Sequence, residues 1–106
     1  MTGTSPTGGF AEAVLGLVDR IPAGQAATYG DIAAMLGSRG ARLVGQVMAQ
    51  SGSTVPWWRV IRSDGRPPAA HEAAALEHYR AEGTPLRGTG LDYRVDLRAC
   101  RWDPFD

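Results

Sequence analysis

The chain has 106 residues, enough for one domain around one hydrophobic core. Hydrophobic residues make up 43% and charged residues 21%, an ordinary globular balance that argues against general disorder. Eleven basic and eleven acidic residues cancel, so net charge gives no global case for nucleic acid, and a local basic patch stays open. The single cysteine, Cys100, excludes an internal disulfide and a cysteine-rich zinc site. No apolar run reaches 18 residues, and the first residues lack the pattern of a signal peptide, so a cytoplasmic protein is expected. All eleven basic residues are Arg, the better group for bidentate phosphate contacts, although a GC-rich genome gives the same bias.

Residues 1–8 are expected to form a disordered arm, and residues 9–106 a single domain. Apolar residues at Phe10, Val14, Leu15, Leu17, Val18 and Ile21 have helical spacing, and Pro22 ends the run. Thr28 with Asp31 three residues on reads as a capping box. It opens a short helix with Ile32, Met35 and Leu36 on its buried stripe, stopped by Gly37. After Ser38-Arg39-Gly40, a third helix is expected over residues 41–50, with Leu43, Val44, Val47 and Met48 as its apolar positions. Two short helices around a Gly-containing turn read as helix-turn-helix.

Next come a loop over residues 51–54 and the pair Trp57-Trp58 behind Pro56. Pro56 favours an extended Val55, and neighbours on a strand point to opposite faces. One indole is therefore expected to face something other than the main core. Residues 59–62 read as a strand, and Asp64-Gly65 as a turn. Residues 71–82 read as a helix capped by Gly83, and residues 86–90 as irregular. Residues 91–97 alternate apolar and polar, the mark of a half-buried strand, expected to pair with residues 59–62. Trp102 and Phe105 are expected to fold back onto the core.

Few residues suggest catalysis. Cys100 has no neighbouring histidine and reads as a small core residue. His71 and His78 share one helix, lack further ligands at metal-binding spacing, and read as solvated. No metal or cofactor is expected. Nucleic-acid features are stronger: Arg39 and Arg42 flank the start of the third helix, where such motifs meet DNA. Ala41, Gly45 and Gln46 give that helix a small-residue face suited to close approach.

Three segments in this order resemble the C-terminal domain of O6-alkylguanine-DNA alkyltransferases. They are Thr28-Tyr29-Gly30-Asp31-Ile32-Ala33, Ala41-Arg42-Leu43-Val44-Gly45 and Val55-Pro56-Trp57-Trp58-Arg59-Val60. The third motif of that family reads Pro-Cys-His-Arg-Val, with the Cys as alkyl acceptor. Trp57 stands in its place, as in the alkyltransferase-like proteins, which bind alkylated guanine without repairing it. The resemblance implies a mostly α domain with a small β-hairpin or sheet, of winged helix-turn-helix type. It also implies nucleotide flipping, with Tyr29 crowding the 3′ phosphate and Arg42 filling the gap left by the extruded guanine. Ala41 and Gly45 would lie on a helix in the minor groove. Tyr29, Met48, Trp57, Trp58 and Val60 would form the lesion pocket.

Two departures stand out. Glu82 matches the acid of that family's Cys-His-Glu hydrogen-bond relay, and Trp58 replaces its histidine. The resemblance thus implies that Glu82 loses its relay and becomes a structural acceptor, while Trp58 either seals the pocket floor or packs into the core. Near the extruded base only Arg66 or His71 is available. The partners implied are duplex DNA containing O6-alkylguanine and nucleotide excision repair proteins, with the chain acting as a monomer and not as an enzyme. The competing readings are a helix-turn-helix transcription regulator and a residual alkyltransferase using Cys100.

Overall fold

The computed structural model describes residues 6–37 and 40–104. The order of elements is α1 (Pro6–Asp19), β1 (Ala27–Thr28), α2 (Tyr29–Met35), α3 (Ala41–Ser51), β2 (Val60–Ile61), α4 (Glu72–Glu82), β3 (Leu86–Thr89), β4 (Asp92–Val95) and α5 (Leu97–Cys100). The fold is mostly α with two small two-stranded sheets, as the sequence predicts. Among the described residues no helix is long and apolar enough to cross a membrane.

α1 begins earlier than its apolar stripe. Pro6 to Gly8 belong to its first turn, whereas residues 1–8 were expected to be an arm. Proline suits the first helical position, where no amide partner is needed. Residues 1–5 lie outside the described residues. Val14 and Val18, one turn apart, and Ile21 are buried in the first core cluster. Ile32 and Ala33 of α2, Val44 of α3, and Ala27, Val60 and Trp102 complete that cluster.

The capping box is formed. The Asp31 amide donates to Thr28 Oγ1 at 2.9 Å, and the Thr28 amide donates to Asp31 Oδ2 at 3.1 Å. It satisfies donors that a helix start leaves open and fixes how Tyr29 enters α2. Arg101 clamps the same carboxylate at 3.0 Å, tying the helix start to the end of the chain. α2 and α3 pack closely as a helix-turn-helix pair. Leu43, one of the apolar positions read for α3, is 50% exposed.

Strand pairing differs from expectation. β2 pairs in parallel with β1, Ala27 against Val60 and Thr28 against Ile61. A bridge between Ala26 and Arg101 lies alongside. Two-residue strands are too short to show periodicity, so this pairing left no pattern to read. β4 pairs instead with β3, which lies in the stretch expected to be irregular. Gly88 and Gly90 gave that impression. Both have positive φ, and Gly90 opens the two-residue turn that a tight hairpin needs. A Cβ on Gly88 would lie 2.6 Å from the Asp92 carbonyl oxygen, so glycine is required there. The segment after β2 does meet β4, but through a turn: the Val95 amide donates to the Gly65 carbonyl at 2.8 Å.

A second cluster gathers Ala26, Ile61, Ala75, Leu76, Tyr79, Tyr93, Val95 and Cys100. Gly83 caps α4 at φ 72°, as read from the sequence. Trp102 folds onto the first cluster as expected, and Phe105 lies outside the described residues.

Candidate functional site

A cavity of about 400 Å³ lies against the end of α3. Its lining includes Tyr29 from the start of α2, Gly45 and Met48 from α3, and Trp57. Helical geometry puts Arg42, Gly45, Gln46 and Ala49 on one face of α3. Arg42 is exposed there and forms no ion pair with a described residue. Ala41 is exposed at the helix start, and Arg39 lies outside the described residues.

Trp57 and Trp58 occupy a 3-10 turn over Trp57–Arg59, rather than the strand on which opposite faces were expected. The indoles still diverge, meeting edge to face with centroids 5.7 Å apart. Trp57 lines the cavity, and Trp58 does not. Trp58 stacks flat on His78, at 3.5 Å between centroids and 5° between planes. Its Nε1–H donates to Glu82 Oε2 at 2.9 Å.

Glu82 is the hub behind the cavity. It also accepts from the Gly24 amide at 3.1 Å, and from Arg59 Nε at 3.2 Å and Nη2 at 2.6 Å. Burial alone would push its carboxyl up. The hydrogen bonds from Arg59, Gly24 and Trp58 outweigh that and hold it below the usual carboxylate range. Arg59 also donates to the Ile21 carbonyl at 2.8 Å and lies 5.4 Å from the Trp58 ring. Tyr79 donates to the Trp58 carbonyl. Trp58 is thus held at its indole nitrogen, its ring face and its backbone, and Trp57 leans on it.

Val60, expected in the pocket wall, is wholly buried in the first cluster; it follows the turn that carries Trp57 and faces inward. His78, expected in solvent, is half-buried because Trp58 covers it. His71, not Arg66, borders the cavity, 5.5 Å from the Trp57 ring centroid. Ala70 before it has φ 70°, a left-handed conformation that costs a β-carbon residue about 1 kcal/mol. Burial pushes the Tyr29 hydroxyl up, with Arg62 pulling the other way, so it remains a neutral donor at the cavity.

Gly52, Ser53, Pro68 and Ala69 also line the cavity and were not singled out in the sequence. At Gly52 a Cβ would lie 3.1 Å from Met48 Cε, a closeness that only the folded chain reveals. Cys100 is buried in the second cluster, donates to the Asp96 carbonyl at 3.2 Å, and does not line the cavity. Burial pushes its thiol up, away from the reactive thiolate.

The family of the 6-O-methylguanine DNA methyltransferase DNA-binding domain matches residues 9–83. Alkyltransferase-like protein 1 of Schizosaccharomyces pombe is 36% identical over 103 residues, covering 90% of this chain and 95% of that protein. The chain belongs to the alkyltransferase-like proteins. Among its relatives, the DNA base-flipping protein of Escherichia coli K12 is 38% identical over 102 residues, covering 89% of this chain and 74% of the relative. The fold is similar to the crystal structure of S. pombe Atl1 in complex with damaged DNA containing O6-carboxymethylguanine. The TM-score is 0.78 at 35% identity, over 91% of this chain and 96% of that one. In this alkyltransferase-like chain the aromatic pair therefore sits between a helix-turn-helix and a carboxylate hub, with the one thiol elsewhere.

Proposed function

We propose that this chain recognises O6-alkylguanine in duplex DNA and leaves the alkyl group in place. The observation that carries the reading is Trp57 on the wall of a cavity beside α3, with no thiol in the lining. α3 would enter the minor groove with Ala41 and Gly45 towards the DNA. Tyr29 would crowd the phosphate and Arg42 would fill the gap behind the flipped nucleotide. Taking a base out of the stack costs a few kcal/mol, and less for a poorly paired alkylated guanine. Trp57 and Met48 then offer the alkyl group an apolar wall. Binding without transfer leaves a lasting complex, which would flag the lesion for nucleotide excision repair in the cytoplasm. The relatives named for base flipping and for complexes with damaged DNA support this reading.

The test is a titration of duplexes with and without one O6-methylguanine, the methyl carrying a radiolabel. Tighter binding to the lesion duplex is expected, with all label remaining on the DNA. Equal affinities, or label on the protein, would overturn the proposal. Arg42→Ala should weaken lesion binding by about tenfold or more, equivalent to about 1.4 kcal/mol.

A further inference from the structure

Arg87 and Arg94 face each other directly across the β3–β4 hairpin, and both are exposed. Like charges in opposed positions cost a hairpin stability. Neither guanidinium makes a hydrogen bond or ion pair with a described residue. Arg94 reaches Asp64 only as a longer-range charge. Folding alone gives no reason for this pair.

The two arginines border a polar groove of about 500 Å³, together with Arg66 and Arg98. Asp64, Asp92 and Asp96 share the lining. Asp64 is already engaged by Arg66, at 3.5 Å from Nε and 3.0 Å from the amide. Each guanidinium carries five donors in a planar fork that matches phosphate. On Arg87 and Arg94 no described residue takes those donors.

The groove and the Trp57 cavity are linked by one loop. Ser63 and Arg66 border the groove, while Pro68 and His71 border the cavity. Arg62, Arg66, Pro67 and Glu72 of the same segment line a small cleft with Asp92 and Tyr93 of β4. Two residues span at most about 7 Å, so Arg66 and Pro68 bring the two surfaces close together. A duplex strand carries a phosphate about every 3.4 Å, so DNA at the cavity has further phosphates within reach of a neighbouring surface.

We propose that this groove is a second DNA contact, in which Arg87 and Arg94 hold backbone phosphates flanking the flipped nucleotide. The proposal rests on the DNA-binding reading above. The contact is independent of sequence and lesion, because phosphates carry no base information. It adds affinity for duplex without adding preference for damage.

The test compares the full chain with its Arg87→Gln/Arg94→Gln variant on plain and O6-methylguanine duplexes at several salt concentrations. Both affinities should fall by the same factor, about tenfold near 0.1 M salt, and the plot of log affinity against log salt should become shallower by about 1.8 for two lost phosphate contacts. The lesion-to-plain ratio should stay unchanged, and the melting temperature should hold or rise as the repulsion disappears. Arg87→Glu gains an attractive cross-strand pair, so the hairpin is kept while DNA binding weakens. Unchanged affinities and salt slopes in both variants would overturn the proposal. So would a loss confined to the lesion duplex, which would assign the arginines to the cavity. A reduced slope with no lesion preference in the wild type would sustain this contact and defeat the damage-recognition reading.

Discussion

The two core clusters are held together by different physics. Around α1, α2 and α3 the buried side chains are mostly aliphatic, among them Val14, Val18, Ile21, Ile32 and Val44, with Trp102 as the aromatic member. Cohesion there comes mainly from close packing, with the capping box and the Arg101–Asp31 ion pair at the start of α2 as its polar devices. Around α4 and the hairpin aliphatic groups pack as well, but the aromatic residues there are tied down by directional bonds. Tyr79 donates to the Trp58 carbonyl, Tyr93 to the Glu72 carbonyl at 2.7 Å, and Trp58 to Glu82. Trp57 and Trp58 are packed against this second cluster, and Trp57 reaches the cavity that α3 also lines. A packed helix-turn-helix presents the α3 face, and a hydrogen-bonded frame holds the aromatic wall still.

The contrast predicts different responses to mutation. Ile32→Ala in the aliphatic cluster should cost about 4 kcal/mol, since a large side chain is lost from a site that cannot collapse. Thermal or denaturant unfolding would measure it, and the loss should not change with pH. Glu82→Ala should cost about 3 kcal/mol, because Arg59 and the Trp58 indole lose their shared acceptor. The Arg59 and Glu82 side chains are only 16% and 12% exposed, so water replaces it poorly.

This loss should depend on pH. The folded state holds the Glu82 carboxyl below its usual range, despite the upward push of burial, through Arg59, Gly24 and Trp58. Its contribution is therefore present at neutral pH and disappears as pH falls through the folded-state value. Stability of Glu82→Gln should fall less steeply in acid than that of the wild type, read from melting temperatures across an acid pH series. Parallel curves would remove Glu82 as the hub. Tyr79→Phe should have the smallest effect, about 1 kcal/mol for the one hydrogen bond lost to the Trp58 carbonyl. Its hydroxyl is buried and its ionisation is pushed far up, so no pH dependence is expected.

The aliphatic half was the more legible of the two in the sequence. Spacing of three and four gave α1, Thr28 with Asp31 gave the start of α2, and Val44 and Val47 gave α3 its inner face. Those signals are local, set by residues within a turn of one another. The aromatic frame is not local. Glu82 reaches Trp58 across 24 positions and Gly24 across 58, and no spacing rule reports such contacts. The β1–β2 pair escaped for the same reason. Residues 86–89 escaped because two glycines that serve a tight hairpin also look like loop. At the cavity, Tyr29, Gly45 and Trp57 could be named from three motifs in order, and Met48 from the same family resemblance just beyond the second. Gly52, Pro68 and Ala69 belong to connecting turns, whose paths depend on packing. Val60 was misplaced because a turn, not a strand, precedes it.

In the proposed function Trp57 reads the alkyl group. The direct measurement is the ratio of affinities for O6-methylguanine and plain duplexes, in the wild type and in Trp57→Ala. The account predicts that the ratio drops by about tenfold in the variant, roughly the worth of one well-placed aromatic contact, while plain-duplex affinity stays within about twofold. A variant that keeps the full wild-type ratio would contradict it.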